Sequence, residues 1–260
     1  MATMTIGNPE VAKKMLQSVL SFSSDMKMEA DPDGCRIALK CDVPDIMRME
    51  FRSGVVTASE PMSVCIKEAL RMFRAIDLVM SERGGRNDPM SMTLSDDRQF
   101  LVFSEGSLQF KIGLVGENSI MGCVDNSEFK MFSDVYSFKM KAERIKALFR
   151  QSAIVRSSEA RVFLVNVSGE EIAARIEDDA SPNSGMVSVR VADRLESGEF
   201  TPLIIKSDTF KSLVKFPFEE CTFHYTDRKA IIVEAEYVDE GGCRIRSRVM
   251  FSPKKSRSSR

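Results

Sequence analysis

Chemistry in proteins usually starts from the rarer side chains, and here they are sparse. The 260-residue chain contains one histidine, His224, and six cysteines. Cys35, Cys41, Cys65, Cys123, Cys221 and Cys243 form no CxxC pair, and a zinc site needs clustered Cys and His. Buried, reduced thiols are expected instead. His224 alternates with Phe223 and Tyr225 in a strand-like run, which reads as a structural histidine rather than a base. The acidic pairs Asp96-Asp97 and Asp178-Asp179 fall in turn-like segments and match no metal-loop spacing. No P-loop or dinucleotide fingerprint occurs. The residues therefore predict no catalytic site, no metal and no cofactor: a protein that is not an enzyme.

Lysine and arginine at helical spacing offer a different chemistry. Lys67, Arg71 and Arg74 are four and three apart, so on a helix they share a face opposite Leu70 and Phe73. Lys139, Lys146 and Arg150 are roughly aligned, opposite Ile145, Leu148 and Phe149. Lys211 and Lys215 lie four apart, and Lys13 and Lys14 precede Gln17. Acidic residues concentrate elsewhere, at Glu177-Asp178-Asp179, Glu234, Glu236, Asp239 and Glu240. A charged stripe on one helix is ordinarily a solvated face. The same sign bias on four helices predicts a surface for a polyanion. Facing a duplex, such side chains contact phosphates, position the protein without reading sequence, and weaken with salt. The formal net charge of −1 conceals this. The tail Lys254-Lys255-Ser256-Arg257-Ser258-Ser259-Arg260 is basic, so the rest of the chain is mildly acidic.

The elements that must position these residues are clearest near the end. Leu203 to Ile205 reads as a strand, Ser207 and Asp208 can cap a helix carrying Phe210, Leu213 and Val214, and Pro217 ends it. Strands follow at Cys221–Tyr225, Ile231–Tyr237 and Arg244–Phe251. The same order appears earlier. A strand at Met62–Ile66 precedes a helix over Lys67–Met80, with Leu70, Phe73, Ile76 and Leu78 or Val79 toward the core. Strands follow at Met90–Leu94, Phe100–Phe103 and Leu108–Val115. Asn8 and Pro9 open a helix over Val11–Phe22, with strands around Met26–Ala30, Arg36–Leu39 and Met47–Phe51. Tyr136–Met140 is a strand before a helix over Lys141–Val155, then strands at Ala160–Val167, Glu171–Ile176 and Met186–Val191. A strand–helix–strands unit thus recurs four times, twice per half. This predicts an α+β protein of two similar domains, 1–115 and 135–253, each with two helices packed on antiparallel sheets. A connector, 116–134, joins them, and 254–260 is a basic tail. No apolar run is long enough to span a bilayer and the start lacks a signal-peptide core, so a cytoplasmic or nuclear location is expected.

The order of elements over nearly the whole chain resembles the sliding clamps of the proliferating cell nuclear antigen type, phage clamps included. The closest local match runs from Pro202-Leu203-Ile204-Ile205, through the helix around Phe210 and Leu213, to Val249-Met250-Phe251-Ser252-Pro253-Lys254. The resemblance implies the DNA clamp fold and a head-to-tail homotrimeric ring around double-stranded DNA. It implies a polymerase processivity factor without sequence specificity, loaded by a clamp-loader ATPase. DNA polymerase and other partners would dock beneath the connector, at Ile46, Met121, Val124, Met250, Phe251 and Pro253. The basic tail departs from the acidic ending of eukaryotic members. Arg244, Arg246 and Arg248 alternate on one face of the last strand, as a solvated outer face or a second nucleic-acid or partner surface. Both features lean toward a viral or phage clamp, working in the host cytoplasm. The alternative is a monomeric processivity factor of the herpesvirus type, which binds DNA directly without forming a ring.

Overall fold

The computed structural model describes residues 1–39, 46–120, 132–152, 155, 160–167, 171–178, 185–213 and 218–253. Among them the order is β1 (Thr3–Ile6), α1 (Pro9–Leu20), β2 (Met26–Asp31), β3 (Gly34–Leu39), β4 (Ile46–Ser53), β5 (Val56–Ala58), β6 (Met62–Ile66), α2 (Leu70–Glu82), β7 (Met90–Leu94), β8 (Phe100–Glu105) and β9 (Leu108–Gly113). A single 3-10 turn, Glu117–Ser119, follows. The series then repeats: β10 (Asp134–Lys141), α3 (Ala142–Gln151), β11 (Ala160–Asn166), β12 (Ile172–Asp178), β13 (Val187–Ala192), β14 (Leu195–Gly198), β15 (Leu203–Lys206), α4 (Ser207–Leu213), β16 (Glu220–Thr226), β17 (Ile231–Val238) and β18 (Arg244–Phe251).

The strand pairing repeats as well. The run β5-β1-β7-β8-β9 has its counterpart in β14-β10-β16-β17-β18, and β4-β3-β2-β6 has its counterpart in β13-β12-β11-β15. Element for element, the second series has the same neighbours as the first. The pairs that link separated strands, β1 with β7 and β10 with β16, are antiparallel, as are β2 with β6 and β11 with β15. The fourfold strand–helix–strands pattern is present, with β5 and β14 as an added strand in each series.

Two compact units result. The first comprises β1 to β9, counting β4 from Arg48, together with Tyr237–Ser247. The second comprises β10 to Glu236 and the chain from Arg248. Each unit has its own core. In the first it is rich in methionine: Met4, Met15, Met26, Met28, Met72, Met90 and Met92 are each at most 1% exposed. The second relies on aromatic rings. Phe138 and Phe223 stack across β10 and β16 at 4.8 Å between centroids, and the buried Tyr136 hydroxyl donates to Thr201 O at 2.8 Å. In a packed interior methionine is adaptable, whereas large rings carry much of their burial energy in fixed contacts.

Three strands have no counterpart in the sequence expectation: β1, β5 and β14, of four, three and four residues. Segments this short show too few alternations for a period to be counted. Helix α2 starts at Leu70 rather than Lys67. Glu68 takes the left-handed conformation (φ 64°), and its amide donates to Asp25 Oδ1 at 3.1 Å, so the chain before Ala69 is not helical. The buried face of α2 is Met72, Ala75, Ile76 and Val79, while Leu70 and Leu78 are exposed by 38% and 43%. Helix α3 ends at Gln151, short of the expected Val155.

Candidate nucleic-acid interface

In the first unit, α1 is opened by Asn8, whose side chain accepts from the Val11 amide at 3.0 Å, with Pro9 at the first helical turn. Its buried face is Val11, Ala12, Met15, Leu16 and Val19. That leaves Lys13, Lys14 and Gln17 turned away from the core. Both lysines have partners inside the unit. Lys13 forms an ion pair with Asp77 of α2 and lies 5.4 Å from the centre of the Phe73 ring, which fastens the two helices side by side. Lys14 donates to the Tyr237 hydroxyl at 2.8 Å and sits 3.5 Å from Glu10. The Tyr237 bond, with smaller help from Glu10, raises the Lys14 ammonium above its ordinary pKa against the opposing effect of burial.

On α2, Arg71 and Arg74 are exposed and three residues apart, so they share one stretch of helix surface. Arg71 pairs with Glu68 at 2.9 Å, but both side chains are more than half exposed, and such a pair contributes little stability. Lys67 is exposed but precedes the helix, so the expectation that it shares a helical face with Arg71 and Arg74 is corrected. The left-handed Glu68 breaks the periodicity on which that spacing argument depends.

In the second unit, α3 buries Ala142, Ile145 and Leu148. Lys146 and Arg150, four apart, are exposed on it. Lys139 does not belong to this helix: it lies on β10, opposite Thr222 of β16, with Glu220 at 3.7 Å. The helix begins only at Ala142, because Lys141 still has extended backbone (φ −82°, ψ 130°). Lys211 is exposed on α4. Lys215 lies outside the described residues. The two helices meet through Phe149 and Phe210, whose rings are 5.9 Å apart.

The structure therefore keeps Arg71, Arg74, Lys146, Arg150 and Lys211 on helices and in solvent. Lys13 and Lys14 are half-buried and tied to neighbours. The acidic residues are less segregated than the sequence suggests, since Glu10, Glu68 and Asp77 stand beside the basic side chains. Sequence reasoning also missed Lys141, Arg144 and Arg194, which join Lys139 around a polar cleft of about 270 Å³. Arg144 is clamped there by Asp193, with bonds of 2.7 and 3.1 Å. The signal was the close series Lys139, Lys141, Arg144, which reads as one helix but is divided between a strand and a helix.

The expected partner pocket is only partly described. Met121 and Val124 lie outside the described residues, as does the side chain of Ile46, which opens β4. Phe251 is fully buried. The alternation of β18 turns it inward with Ile245, Ser247 and Val249, so it belongs to the core rather than to an open pocket. Met250 and Pro253 are half-buried.

Among the described residues His224, Cys35, Cys65 and Cys221 lie on strands. His224 Nδ1 is 2.8 Å from Asp134 Oδ2 across β16 and β10. Cys35, Cys65 and Cys221 are buried free thiols and Cys243 is a half-buried one, while Cys41 and Cys123 lie outside the described residues. Burial pushes the Cys35 thiol up to about 12 and raises Cys221 too, which suppresses the nucleophilic thiolate.

Two like units, each with a helix pair and antiparallel sheets, define a class: the fold of the DNA sliding clamps. Among solved structures the chain is similar to A. fulgidus PCNA, seen with the C-terminal region of FEN-1 bound, with a TM-score of 0.73 and 15% identity over 98% of this chain and 99% of that one. It is likewise similar to the proliferating cellular nuclear antigen of Entamoeba histolytica, with a TM-score of 0.72 and 10% identity over 98% and 99%. No protein-family model and no curated protein sequence matches the chain.

Proposed function

We propose that this chain is a sliding clamp, a processivity factor that encircles duplex DNA as a homotrimeric ring and tethers a DNA polymerase. The observation that supports this most is the recurrence of the whole element order and strand order in two units, over a chain that matches PCNA structures along 98% of its length. Each unit contributes a pair of helices to the lining of the ring. The exposed Arg71, Arg74, Lys146, Arg150 and Lys211 face phosphates and hold them through charge alone. Strands that end their runs, β9 and β13 among them, pair between copies and so lose their open edges. Head-to-tail contacts of this kind close into a ring when the rotation allows it.

The mechanism is topological. A closed ring need not bind DNA tightly, because it leaves only by opening or by running off an end. Weak phosphate contacts permit sliding, and tethering raises the effective concentration of the polymerase at the primer end. Energy to open the ring comes from a separate clamp-loader ATPase. A partner segment docks near Met250 and Pro253.

Light scattering tests the ring directly, with a trimer as the expected species. A monomer at micromolar concentration would instead assign the chain to the non-ring processivity factors. Reversing charge at Arg71, Arg74, Lys146 and Arg150 together should leave assembly intact and impair loading or sliding on primed circular DNA. Normal processivity in that variant would remove the helices from the DNA path.

A further inference from the structure

The arginines of the last strand are not used by the function proposed above. Arg244 and Arg246 project to the exposed face of β18, opposite the buried Ile245 and Ser247. They do not stand alone. With Arg36 of β3 and Arg52 of β4 they line an open groove of about 750 Å³ in the first unit. The Ser53 hydroxyl donates to Arg244 O at 2.8 Å, which fixes the start of β18 beside the end of β4.

This cluster is built rather than incidental. Arg36 and Arg52 are direct cross-strand partners, and like charges placed so are normally destabilising. One carboxylate resolves the conflict. Glu50, only 2% exposed, accepts from Arg36 Nε at 2.7 Å and from Arg52 Nε at 2.9 Å through the same oxygen. Burial pushes the Glu50 carboxyl up, but the bonds from the two arginines outweigh it and hold it below the usual carboxylate range. Arg36 is further tied to Glu29 at 3.2 Å and is largely covered. Arg52 is different. It bonds Glu50 through Nε, and 60% of its side chain is exposed. Its terminal Nη1 and Nη2, the pair that grips a carboxylate in two parallel bonds, are therefore held ready by a buried anchor.

The same groove bears carboxylates. Glu29 and Asp31 line it, and so does Asp33 at the tip of the β2–β3 hairpin. Asp31 is engaged by the amides of Asp33 and Gly34 at 2.8 and 3.0 Å. A duplex presents a negative charge about every 1.7 Å of its axis and would meet these carboxylates as well as the arginines. An extended peptide brings alternate side chains to one face about 7 Å apart, so it can place carboxylates on the arginines and smaller residues over Pro61 and Met62.

We infer that this groove, bounded by Arg36, Arg52, Arg244 and Arg246, is a docking site for an acidic segment of a partner protein, separate from the basic faces of the helices. The test uses the full chain and a fluorescein-labelled 12-residue peptide alternating Glu and Ser, read by anisotropy. Wild-type protein should bind it and should bind a Gln-Ser control at least tenfold more weakly. Arg52→Gln, and separately the double variant Arg244→Gln with Arg246→Gln, should each weaken binding about tenfold. Arg52→Lys keeps the charge but lacks the planar fork, so it should recover only part of the loss. Oligomeric state and loading on primed DNA should be unchanged in all of these, which separates this site from the ring. The inference is overturned if wild type does not bind the Glu peptide, or if the variants bind it as well as wild type does. It is also overturned if single-stranded or duplex DNA displaces the peptide and loses affinity through the same arginine substitutions, which would assign the patch to nucleic acid.

Discussion

The two helix pairs occupy equivalent places in the repeat and are held together by opposite means. Between α1 and α2 the bond is ionic: Lys13 reaches Asp77 and covers the Phe73 ring. Between α3 and α4 it is aromatic, Phe149 against Phe210. The consequence falls on the positive charge. In the first pair Lys13 and Lys14 are tied into the unit's own structure and Arg71 is paired at the surface with Glu68. In the second, Arg144 is clamped by Asp193 while the helices touch through rings, and Lys146, Arg150 and Lys211 remain in solvent. Identical topology therefore does not mean identical electrostatics, and a charge read from the sequence counts toward a ligand only if the fold does not use it first.

The sharpest difference between the units lies in a strand pair. β10 and β14 carry a register shift between Ser137 and Phe138, whereas β1 and β5 pair regularly. Gly198 serves the irregular pair. It has φ +77°, and a Cβ there would lie 1.9 Å from Val135 O. Gly198→Ala should cost several kcal/mol, on the order of 3 or more, and destabilise the second unit ahead of the first. Urea unfolding followed by hydrogen exchange checks this, and a loss spread evenly over both units would contradict it.

Next in size is the test of the two fastenings. Phe210→Ala removes a ring 1% exposed and should cost about 3–5 kcal/mol. Lys13→Ala, which breaks a pair whose Asp77 side chain is 59% exposed, should cost about 1 kcal/mol or less. Chemical denaturation of the two variants reads the ratio directly.

The difference in charge leads to a smaller but more specific expectation. Lys146→Glu with Arg150→Glu should weaken DNA association about tenfold at low salt and flatten its salt dependence. Lys13→Glu with Lys14→Glu should change it by less than about threefold, because both side chains already have partners in the fold. Equal effects, measured as binding against salt concentration, would erase the distinction between the two pairs.

A pH titration gives the last and mildest contrast. The folded pKa of Glu50 lies below its unfolded value, because Arg36 and Arg52 favour the carboxylate. Its contribution is therefore present above the unfolded value near about 4.3 and disappears as pH falls through the folded one. The first unit should lose stability over that acid window, and Glu50→Gln should remove this part of the pH dependence. Lys14 has the opposite sign. Its raised pKa gives stability that is complete below the unfolded value near about 10.4 and is lost as pH rises through the folded one. Lys14→Met should abolish a small alkaline loss of stability followed by thermal melts from pH 9 to 11.

What the sequence determined by itself was the repeated order of elements and the faces of some of its regular parts, though not that of α2, where Leu70 and Leu78 are exposed. Alternation at Arg244, Arg246 and Arg248, the Asn8-Pro9 helix start and the separation of four between Lys146 and Arg150 follow from local periodicity, and each is present. Tertiary structure decided the rest. It truncated α2 by placing Glu68 in the left-handed conformation against Asp25, and so removed Lys67 from the helix. It returned Tyr237 to Lys14 across 223 residues, set Asp77 on Lys13, and turned Phe251 into the core. It also gathered Arg36, Arg52 and Arg246 around one groove although they belong to three different strands, β3, β4 and β18. The physical reason is common to these cases. Spacing reports which side chains share a face, but a partner contributed by a distant strand or helix determines whether a charge remains for a ligand.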